Sequence, residues 1–328
     1  MATMTDLDRA AAVLREARDV AIACHVNPDA DALGSSLGLA HHLVAGGAQV
    51  VVGFPNEPLE LPVWAAALPV GDLVVPVDAF PTAPAVMVTC DCAAFDRLGV
   101  LGAAADAAAE LIWIDHHRSN DGRGTIRLVD PDASSTCEVV ARLLDAIGGD
   151  ISDESAICLY AGLVTDTGRF QYEAASPDTL RLAARLREHP FDHARLSQVL
   201  YENNRAAYLD VLGVAMERAE LDPVADLVWT YVLWSDLERV GAEPSDVDDL
   251  LDVLRATRDA DTAAFVKQQR DGRFKVSVRS RGARDLSAVA AAFGGGGHRL
   301  AAGYTSEFGP AETIRRLRAA VTTAAPGT

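Results

Sequence analysis

Short apolar runs alternate with segments of helical periodicity in the first half of the chain. We predict strands at 20–24, 50–52, 86–90 and 111–114, and helices at 6–18 and 33–44. Strands that alternate with helices in this way form a parallel sheet that is covered by helices on both faces. The first half is therefore expected to be an α/β domain.

The second half combines longer apolar runs with periodic segments. The runs predict strands at 227–234, 263–268 and 274–279, and the periodic segments predict helices at 245–256, 285–293 and 311–324. Ser245 precedes an acidic first turn, so we expect it to cap the first of these helices. This order of elements indicates a smaller α+β domain.

A polar, aperiodic segment that starts near Glu188 separates the two halves. We predict a first domain over 1–187, a linker over 188–210 and a second domain over 211–328. Two domains agree with the length of 328 residues, because a single core usually stops growing at about 250 residues.

The charge of the chain is strongly acidic, with 29 Lys and Arg against 47 Asp and Glu and a net charge of −18. Binding of long or duplex nucleic acid takes an extended basic surface, so we do not expect it here. A phosphate ligand can still be held by metal ions and a few arginines.

Several sequence features concern the location of the protein. No uncharged apolar run reaches the length of a membrane span, about 18 residues, and the N-terminus lacks the basic-then-apolar order of a secretory signal. The five cysteines form no CxxC pair and are odd in number, so neither disulfides nor a thiolate zinc site is indicated. We expect a cytoplasmic protein with no membrane partner.

Metal-ligand residue types stand where the predicted strands end. His25, Asp29 and Asp31 follow the first strand, Asp91 follows the third, and Asp115-His116-His117 follow the fourth. The carboxyl ends of parallel strands meet at one edge of a sheet, where ligands of open α/β sheets bind. Asp166, at a glycine-flanked turn after a predicted helix, is a further candidate.

So many carboxylates close together would resist ionisation without a compensating charge. Imidazoles and carboxylates without a thiolate favour Mn²⁺, Fe²⁺ or Zn²⁺, and the excess of carboxylates favours Mn²⁺. Six ligands exceed what one catalytic metal with open positions needs, so the pattern indicates a two-metal centre of the kind that hydrolyses phosphoesters. Each piece alone has an ordinary explanation: an Asp-x-Asp turn, an Asp that starts a turn, or the chance pair His41-His42, to which we assign no role.

The second half contains two further candidates. Gly294-Gly-Gly-Gly297-His298 is either a flexible linker or a loop whose backbone approaches an anion closely. Arg279 lies on the face of a predicted strand opposite Phe274, Val276 and Val278, where it either binds phosphate or is a surface arginine.

Together these segments resemble the DHH/DHHA1 phosphoesterase family. The resemblance rests on His25-Val-Asn-Pro-Asp29-Ala-Asp31, Asp91, Asp115-His116-His117, Thr165-Asp166-Thr-Gly168 and Gly294-Gly-Gly-Gly-His298. The motifs cover nearly the whole chain in the family's order. Within the family, the chain looks like the short members that are bifunctional oligoribonucleases and adenosine-3′,5′-bisphosphate (pAp) phosphatases, some of which also act on cyclic di-AMP.

The resemblance implies a set of roles. Two Mn²⁺ ions would be held by His25, Asp29, Asp31, Asp91, His116 and Asp166, with Asp91 and Asp166 shared between the ions. His117 would contact the scissile phosphate and Asp115 would support it. The smaller domain would bind substrate through Arg279, Ser280, Gly295, Gly296, Gly297 and His298.

The substrates implied are short RNA oligonucleotides, dinucleotides such as pApA, and pAp, and the implied assembly is a homodimer. A non-catalytic cyclic-dinucleotide sensor is an alternative, but it has little need for six metal ligands. A manganese inorganic pyrophosphatase shares the DHH domain, but it pairs that domain with a lysine-containing basic motif, whereas the lysines here are Lys267 and Lys275 alone. A RecJ-type exonuclease carries additional domains that this length does not accommodate.

Overall fold

The structure is a computed structural model that describes residues 5–121 and 123–323, except for the side chain of His298. The chain divides between Asn203 and Asn204 into two compact units, which we call the N-terminal unit and the C-terminal unit. The segment predicted as a linker carries helices in the structure, and the functional division of the chain at 187 and 211 stays a prediction. Ala324, the end of the last predicted helix, lies outside the described residues.

The N-terminal unit is built on a five-stranded parallel sheet, as predicted. Its strands are β1 (Asp19–Cys24), β2 (Gln49–Gly53), β3 (Val86–Cys90), β4 (Glu110–Asp115) and β5 (Ile126–Val129). They lie in the order β2-β1-β3-β4-β5, so the direction of winding reverses between β1 and β3. In open α/β sheets such a reversal opens a crevice at the carboxyl ends of the strands, where ligands bind.

Helices cover both faces of this sheet. They are α1 (Asp6–Glu16), α2 (Ala30–Ala45), α3 (Gly102–Ala107), α4 (Thr136–Ile147), α5 (Asp153–Asp166), α6 (Pro177–Leu186) and α7 (His193–Tyr201), with 3₁₀ helices at Val63–Ala67, Val77–Ala79 and Phe95–Leu101. One core contains side chains of α1, α2, α4 and α5, and a second, around Trp113, packs on the opposite face. The strands are therefore buried from both sides, which explains their continuous apolar sequences.

The C-terminal unit contains a mixed six-stranded sheet. Its strands are β6 (Glu220–Asp222), β7 (Leu227–Val232), β8 (Thr262–Gln268), β9 (Phe274–Ser280), β10 (Gly296–His298) and β11 (Ala301–Ser306). They lie in the order β10-β11-β9-β8-β7-β6, and among these neighbours only β7 and β8 are parallel. The helices are α8 (Ala206–Glu217), α9 (Trp234–Val240), α10 (Leu250–Arg255), α11 (Leu286–Ala291) and α12 (Pro310–Thr323), with a 3₁₀ helix at Pro244–Val247.

Two elements of the C-terminal unit differ from the prediction. Trp234 begins α9 instead of ending a strand, because the Asp236 carboxylate accepts the Leu233 N–H at 2.8 Å and so starts a helix at that point. The helix predicted at 245–256 is two pieces, and Ser245 lies inside the 3₁₀ helix without capping either.

Two expectations about the chain as a whole can be compared with the structure. Within the part that the structure describes, no helix combines the length and the hydrophobicity that a membrane-spanning segment needs. The five cysteines are buried free thiols, as expected.

Candidate metal centre

The carboxyl edge of the N-terminal sheet brings the predicted metal ligands together. His25 and Asp91 directly follow β1 and β3, the strands on either side of the winding reversal. Asp115 is the last residue of β4, and His116 and His117 follow it. Asp29 caps α2, and Asp31 lies in the first turn of that helix.

Asp166 reaches this edge from the last position of α5, where the sequence had suggested a turn after the helix. Close packing of α5 allows this, because a Cβ on Gly162 would lie 2.3 Å from Cys137 Sγ and 2.8 Å from Asp31 Cα. A larger residue at 162 would therefore push α5 away from α2 and α4.

Three side chains form a first group that could hold a metal ion, namely His25, Asp29 and Asp91. His25 Nε2 lies 3.7 Å from Asp29 Oδ2 and 3.6 Å from Asp91 Oδ2. The other oxygen of Asp29 accepts the N–H groups of Asp31 and Ala32 as the helix cap, so Oδ2 is left for the group. His25 and Asp91 are buried, whereas Asp29 is exposed.

A second group contains Asp31, His116 and Asp166. His116 Nε2 lies 3.3 Å from Asp166 Oδ2 and 3.8 Å from Asp31 Oδ2. The same nitrogen lies 3.8 Å from Asp91 Oδ1. Asp91 thus directs one oxygen to each group, which is the arrangement of a carboxylate that bridges two ions.

The donor set of the two groups fits divalent cations. All ligand atoms within each group lie within 4.8 Å of one another. Imidazole nitrogens and carboxylate oxygens are ligands of Mn²⁺, Fe²⁺ and Zn²⁺. Asp91, His116 and His117 form a third such group, which overlaps the other two.

The N-terminus of α4 holds two of the carboxylates, and the sequence analysis did not include this helix. The N–H groups of Thr136 and Cys137 donate to Asp31 at 2.7 and 2.9 Å, and Thr136 Oγ1 donates to Asp91 Oδ1 at 2.8 Å. Ser135 caps the helix by accepting the Glu138 N–H. This Ser-x-x-Glu pattern ahead of an apolar segment is the signal that could have predicted α4.

A chain of hydrogen bonds fixes His117. Asp115, which is fully buried, accepts from His117 Nδ1 at 2.7 Å and from the His116 N–H at 2.9 Å through Oδ1. Its other oxygen accepts from Asn120 Nδ2 at 2.7 Å. Asn120 also donates to the Cys92 carbonyl, so it ties the β4 edge to the β3 edge. The sequence analysis did not include Asn120.

Burial and neighbouring negative charges oppose the ionisation of a carboxyl group in the cluster. Burial raises the pKa of Asp31 well above its usual value, and the neighbouring charges of Asp91 and Asp166 raise it further. Burial alone would lower the pKa of His25, but hydrogen bonds to Asp29 and Asp91 raise it to about 10. The protein thus has more negative charge at this edge than it can easily accommodate, and a bound cation would offset it.

Asp91 also has an unusual backbone conformation. Its φ is +58°, in the left-handed region that non-glycine residues seldom adopt. Its N–H donates to the Ile114 carbonyl at 3.0 Å, which fixes this conformation against β4. Such strained positions concentrate at functional sites.

The predicted substrate-binding residues Arg279 and Ser280 lie at the end of β9. Arg279 is half-buried on the face opposite Phe274, as predicted, and its Nη1 donates to the Val278 carbonyl at 3.2 Å. Ser280 is fully buried, and its hydroxyl donates to Asp261 and accepts the N–H of Gly282. Ser280 therefore shapes the turn that follows β9.

The glycine run is not a linker, because it enters the short edge strand β10. A Cβ on Gly295 would lie 2.1 Å from the Gly303 carbonyl, and one on Gly297 would lie 2.5 Å from the Ala301 carbonyl. Gly296 has no atom within 4 Å of such a Cβ. The backbone of His298 belongs to β10, while its side chain lies outside the described part of the chain.

His41 and His42 lie inside α2, away from its first turn. His41 Nε2 contacts the Pro69 carbonyl at 2.7 Å, and His42 Nε2 contacts the Gly148 carbonyl at 3.1 Å. Both contacts join α2 to neighbouring segments of the chain.

Comparison with known proteins identifies two family domains and similar proteins in other organisms. Residues 19–163 match the DHH family, N-terminal domain, and residues 228–325 match the DHHA1 domain. The chain is 33% identical over 285 residues to a Thermus thermophilus protein named bifunctional oligoribonuclease and PAP phosphatase NrnA, covering 87% of this chain and 83% of that one. It is 28% identical to the Bacillus subtilis protein of the same name, covering 85% and 86%.

A solved structure is similar over nearly the full length. It is an exopolyphosphatase-related protein from Bacteroides fragilis, with a TM-score of 0.88, 25% sequence identity, and coverage of 96% of this chain and 95% of that chain.

Proposed function

Because this chain belongs to the DHH/DHHA1 phosphoesterase family, and within it to the NrnA type, we propose that it hydrolyses short oligoribonucleotides and nucleotides. The proposed substrates are dinucleotides such as pApA and very short RNA, which yield nucleoside 5′-monophosphates, and pAp, which yields AMP and phosphate. The observation that carries the proposal is the pair of ligand groups that share Asp91.

The proposed substrates share the type of bond that is broken. Release of a nucleoside 5′-monophosphate from a dinucleotide and release of phosphate from pAp both break the bond between phosphorus and a ribose 3′ oxygen. In each case a water oxygen forms the new bond to phosphorus, and the 3′ oxygen leaves as a hydroxyl. A single site can therefore perform both reactions, provided that it accepts different groups on the phosphate.

We propose that the site holds two Mn²⁺ ions. His25, Asp29 and Asp91 would hold one ion, and Asp31, Asp91, His116 and Asp166 the other. Asp166, which the resemblance implied to be shared between the ions, belongs to the second group alone among the ligand groups of the described residues. Two divalent ions supply an activated water and charge stabilisation for both oxygens of an in-line displacement.

The remaining residues of the site orient the phosphate. The bond from His117 Nδ1 to Asp115 fixes the ring and leaves Nε2 as the nitrogen that would contact the scissile phosphate. Hydrogen bonding to Asp115 and the charge of Asp91 outweigh burial and raise the pKa of His117 to about 9, which favours a ring that carries positive charge. Such a ring attracts the phosphate as well as donating to it.

For the C-terminal unit, we propose substrate binding through Arg279, Ser280, Gly295, Gly296, Gly297 and His298. A terminal nucleotide bound there would limit the enzyme to short substrates, and the net charge of −18 disfavours long polyanions. Cyclic di-AMP is a further proposed substrate. We also propose a cytoplasmic homodimer with no membrane partner.

The test is hydrolysis by protein stripped with EDTA and then supplied with Mn²⁺. We expect AMP from pApA and pAp, slower hydrolysis of cyclic di-AMP, and little change in a long RNA, with no reaction before Mn²⁺ is added. Products are resolved by chromatography, and metal content is measured by mass spectrometry, with about two Mn²⁺ per chain expected.

Other outcomes would replace the proposal. Phosphate from pyrophosphate alone would indicate a pyrophosphatase. Tight binding of cyclic di-AMP without turnover under any metal would indicate a sensor, and equal rates on long and two-residue RNA would contradict the preference for short substrates.

A further inference from the structure

A guanidinium contacts the candidate metal centre from outside the ligand set. Arg97, in the 3₁₀ helix Phe95–Leu101, places Nη2 at 2.9 Å from His25 Nδ1. Its position is fixed through Val26, whose N–H donates to the Arg97 carbonyl at 3.0 Å. The Val26 carbonyl lies 2.8 Å from the same His25 Nδ1. Arg97 is thus built onto the segment that carries the first metal ligand.

Arg97 has no carboxylate ion-pair partner among the residues that the structure describes, and its guanidinium is partly exposed. Several other arginines of the N-terminal unit are neutralised, for example Arg118 by Asp132 and Arg185 by Asp145. In a chain with a net charge of −18, an arginine without a counter-ion beside a cation site needs an explanation. Its charge repels a metal ion, so it does not serve to bind the metal.

The two contacts of His25 Nδ1 exclude each other. If Nδ1 carries a proton, it donates to the Val26 carbonyl and cannot accept from Arg97, whereas without that proton it accepts from Arg97. A histidine that holds a metal through Nε2 carries its proton on Nδ1 and usually donates it to a carbonyl or carboxylate. Arg97 therefore loses its hydrogen-bond partner when His25 holds a metal.

We propose that Arg97, whose guanidinium is partly exposed beside His25, binds a phosphate oxygen of the nucleotide substrate at this end of the metal centre. This inference rests on the proposed function and adds a substrate-binding residue to it. Four carboxylates balance the charge of two divalent ions, so the charge of an incoming phosphate is left for a further cation to offset. A guanidinium suits phosphate oxygens because it offers several N–H donors in one plane.

The test replaces Arg97 by Gln, which removes the charge but keeps an amide donor. We expect the KM for pAp and the inhibition constant of AMP to rise about tenfold, the loss of one charged hydrogen bond, with kcat changed less than about threefold. Mn²⁺ affinity, measured by calorimetry without substrate, should stay equal or become tighter. Arg97→Lys should recover part of the KM, because it restores the charge without the planar donors.

A matched control is Arg118→Gln, which removes an exposed, ion-paired arginine just after His117 and should leave all three quantities unchanged. If Arg97 merely supports the structure around His25, Arg97→Gln would weaken Mn²⁺ binding and lower kcat with an unchanged KM, and the inference would be wrong. An unchanged AMP affinity would also overturn it.

The inference can fail separately from the proposed function. If the wild-type protein hydrolyses no nucleotide, calorimetry of AMP binding to the Mn²⁺-loaded protein still compares wild type with Arg97→Gln. Tenfold weaker AMP binding in the variant would support Arg97 as a phosphate-binding residue of an inactive site, and equal binding would reject it.

Discussion

The N-terminal unit buries most of its candidate site residues and joins them to one another, whereas the C-terminal unit spreads its predicted substrate-binding residues over a strand end and a hairpin. In the first, Asp91 lies within 4 Å of three histidines and accepts a hydrogen bond from a threonine hydroxyl. In the second, Arg279 donates to a neighbouring carbonyl and Ser280 holds a turn. The candidate residues of the N-terminal unit contact one another and so form a site. The predicted residues of the C-terminal unit mainly contact the backbone around them and maintain the local fold.

Under the proposed function, this contrast has a consequence for the roles of the two units. Ligands that bring several carboxylates together must be held rigidly, because the protein has to oppose their mutual repulsion. A surface that recognises the end of a nucleotide can use exposed groups that become ordered only with the substrate. We therefore expect substitutions of the metal-centre residues to act mainly on kcat, and substitutions of the proposed substrate-binding residues, Arg97 among them, to act mainly on KM.

The largest effect is expected for Asp91→Asn. The amide keeps the shape but loses the charge that both ligand groups share, so we expect a loss of about 4 kcal/mol of transition-state stabilisation, roughly 1,000-fold in kcat. Steady-state kinetics on pAp and the Mn²⁺ content of the purified variant measure it. Unchanged circular dichroism confirms folding, and near-normal turnover would show that the metal assignment is wrong.

The next effect concerns Asn120, which donates to Asp115 and to the Cys92 carbonyl and affects His117 through Asp115. Asn120→Ala removes the donor to Asp115 Oδ2, so we expect kcat to fall about 10- to 100-fold with KM little changed. Asn203→Ala, which removes an exposed amide at the end of the same unit, is the control. If the KM rises and kcat is retained, Asn120 affects substrate binding and the contrast between the units weakens.

In the C-terminal unit, Arg279→Ala should raise the KM for pAp and pApA about tenfold and leave kcat within about twofold. Lys275→Ala provides a matched control, because Lys275 lies on the same face of β9 as Arg279. Comparable effects of the two substitutions would indicate a general effect of positive charge, without a specific role for Arg279.

Much of the N-terminal unit could be predicted because its signals are local. A fully buried strand is a continuous apolar run, and the residue that ends it is polar, so the positions of His25, Asp91 and Asp115 were evident. The shared edge then followed from the parallel topology.

The residues that support the site could not be predicted in the same way. Asn120 lies in a loop and Arg97 in a short 3₁₀ helix. The sequence does not indicate which site residues such segments contact when they fold back. The start of α9 at Trp234 depends on the cap that the Asp236 side chain provides. The apolar run before Asp236 instead predicted a strand that continues to Trp234. The glycine run was ambiguous because close packing and ligand approach both require glycine.

Single substitutions in the glycine run distinguish close packing from ligand approach as the reason for each glycine. Gly295→Ala brings a Cβ to 2.1 Å from the Gly303 carbonyl, so we expect the free energy of unfolding to fall by about 1–3 kcal/mol. Gly296→Ala meets no atom within 4 Å and should leave stability within about 0.5 kcal/mol. Urea denaturation measures both, and a raised KM in the stable Gly296 variant would support close approach of the substrate there.

The smallest effect on activity is expected for His41→Ala. The substitution removes the contact of Nε2 with the Pro69 carbonyl, so we expect a loss of about 1 kcal/mol in the free energy of unfolding. His41 lies in the middle of α2, whereas Asp29 and Asp31 lie at its beginning, so kcat/KM and Mn²⁺ content should stay within about twofold of wild type. Metal content and turnover distinguish this histidine from His116. A fall of kcat/KM comparable to that of Asp91→Asn would show that the buried cluster extends along α2, and that the boundary drawn around the metal centre is too narrow.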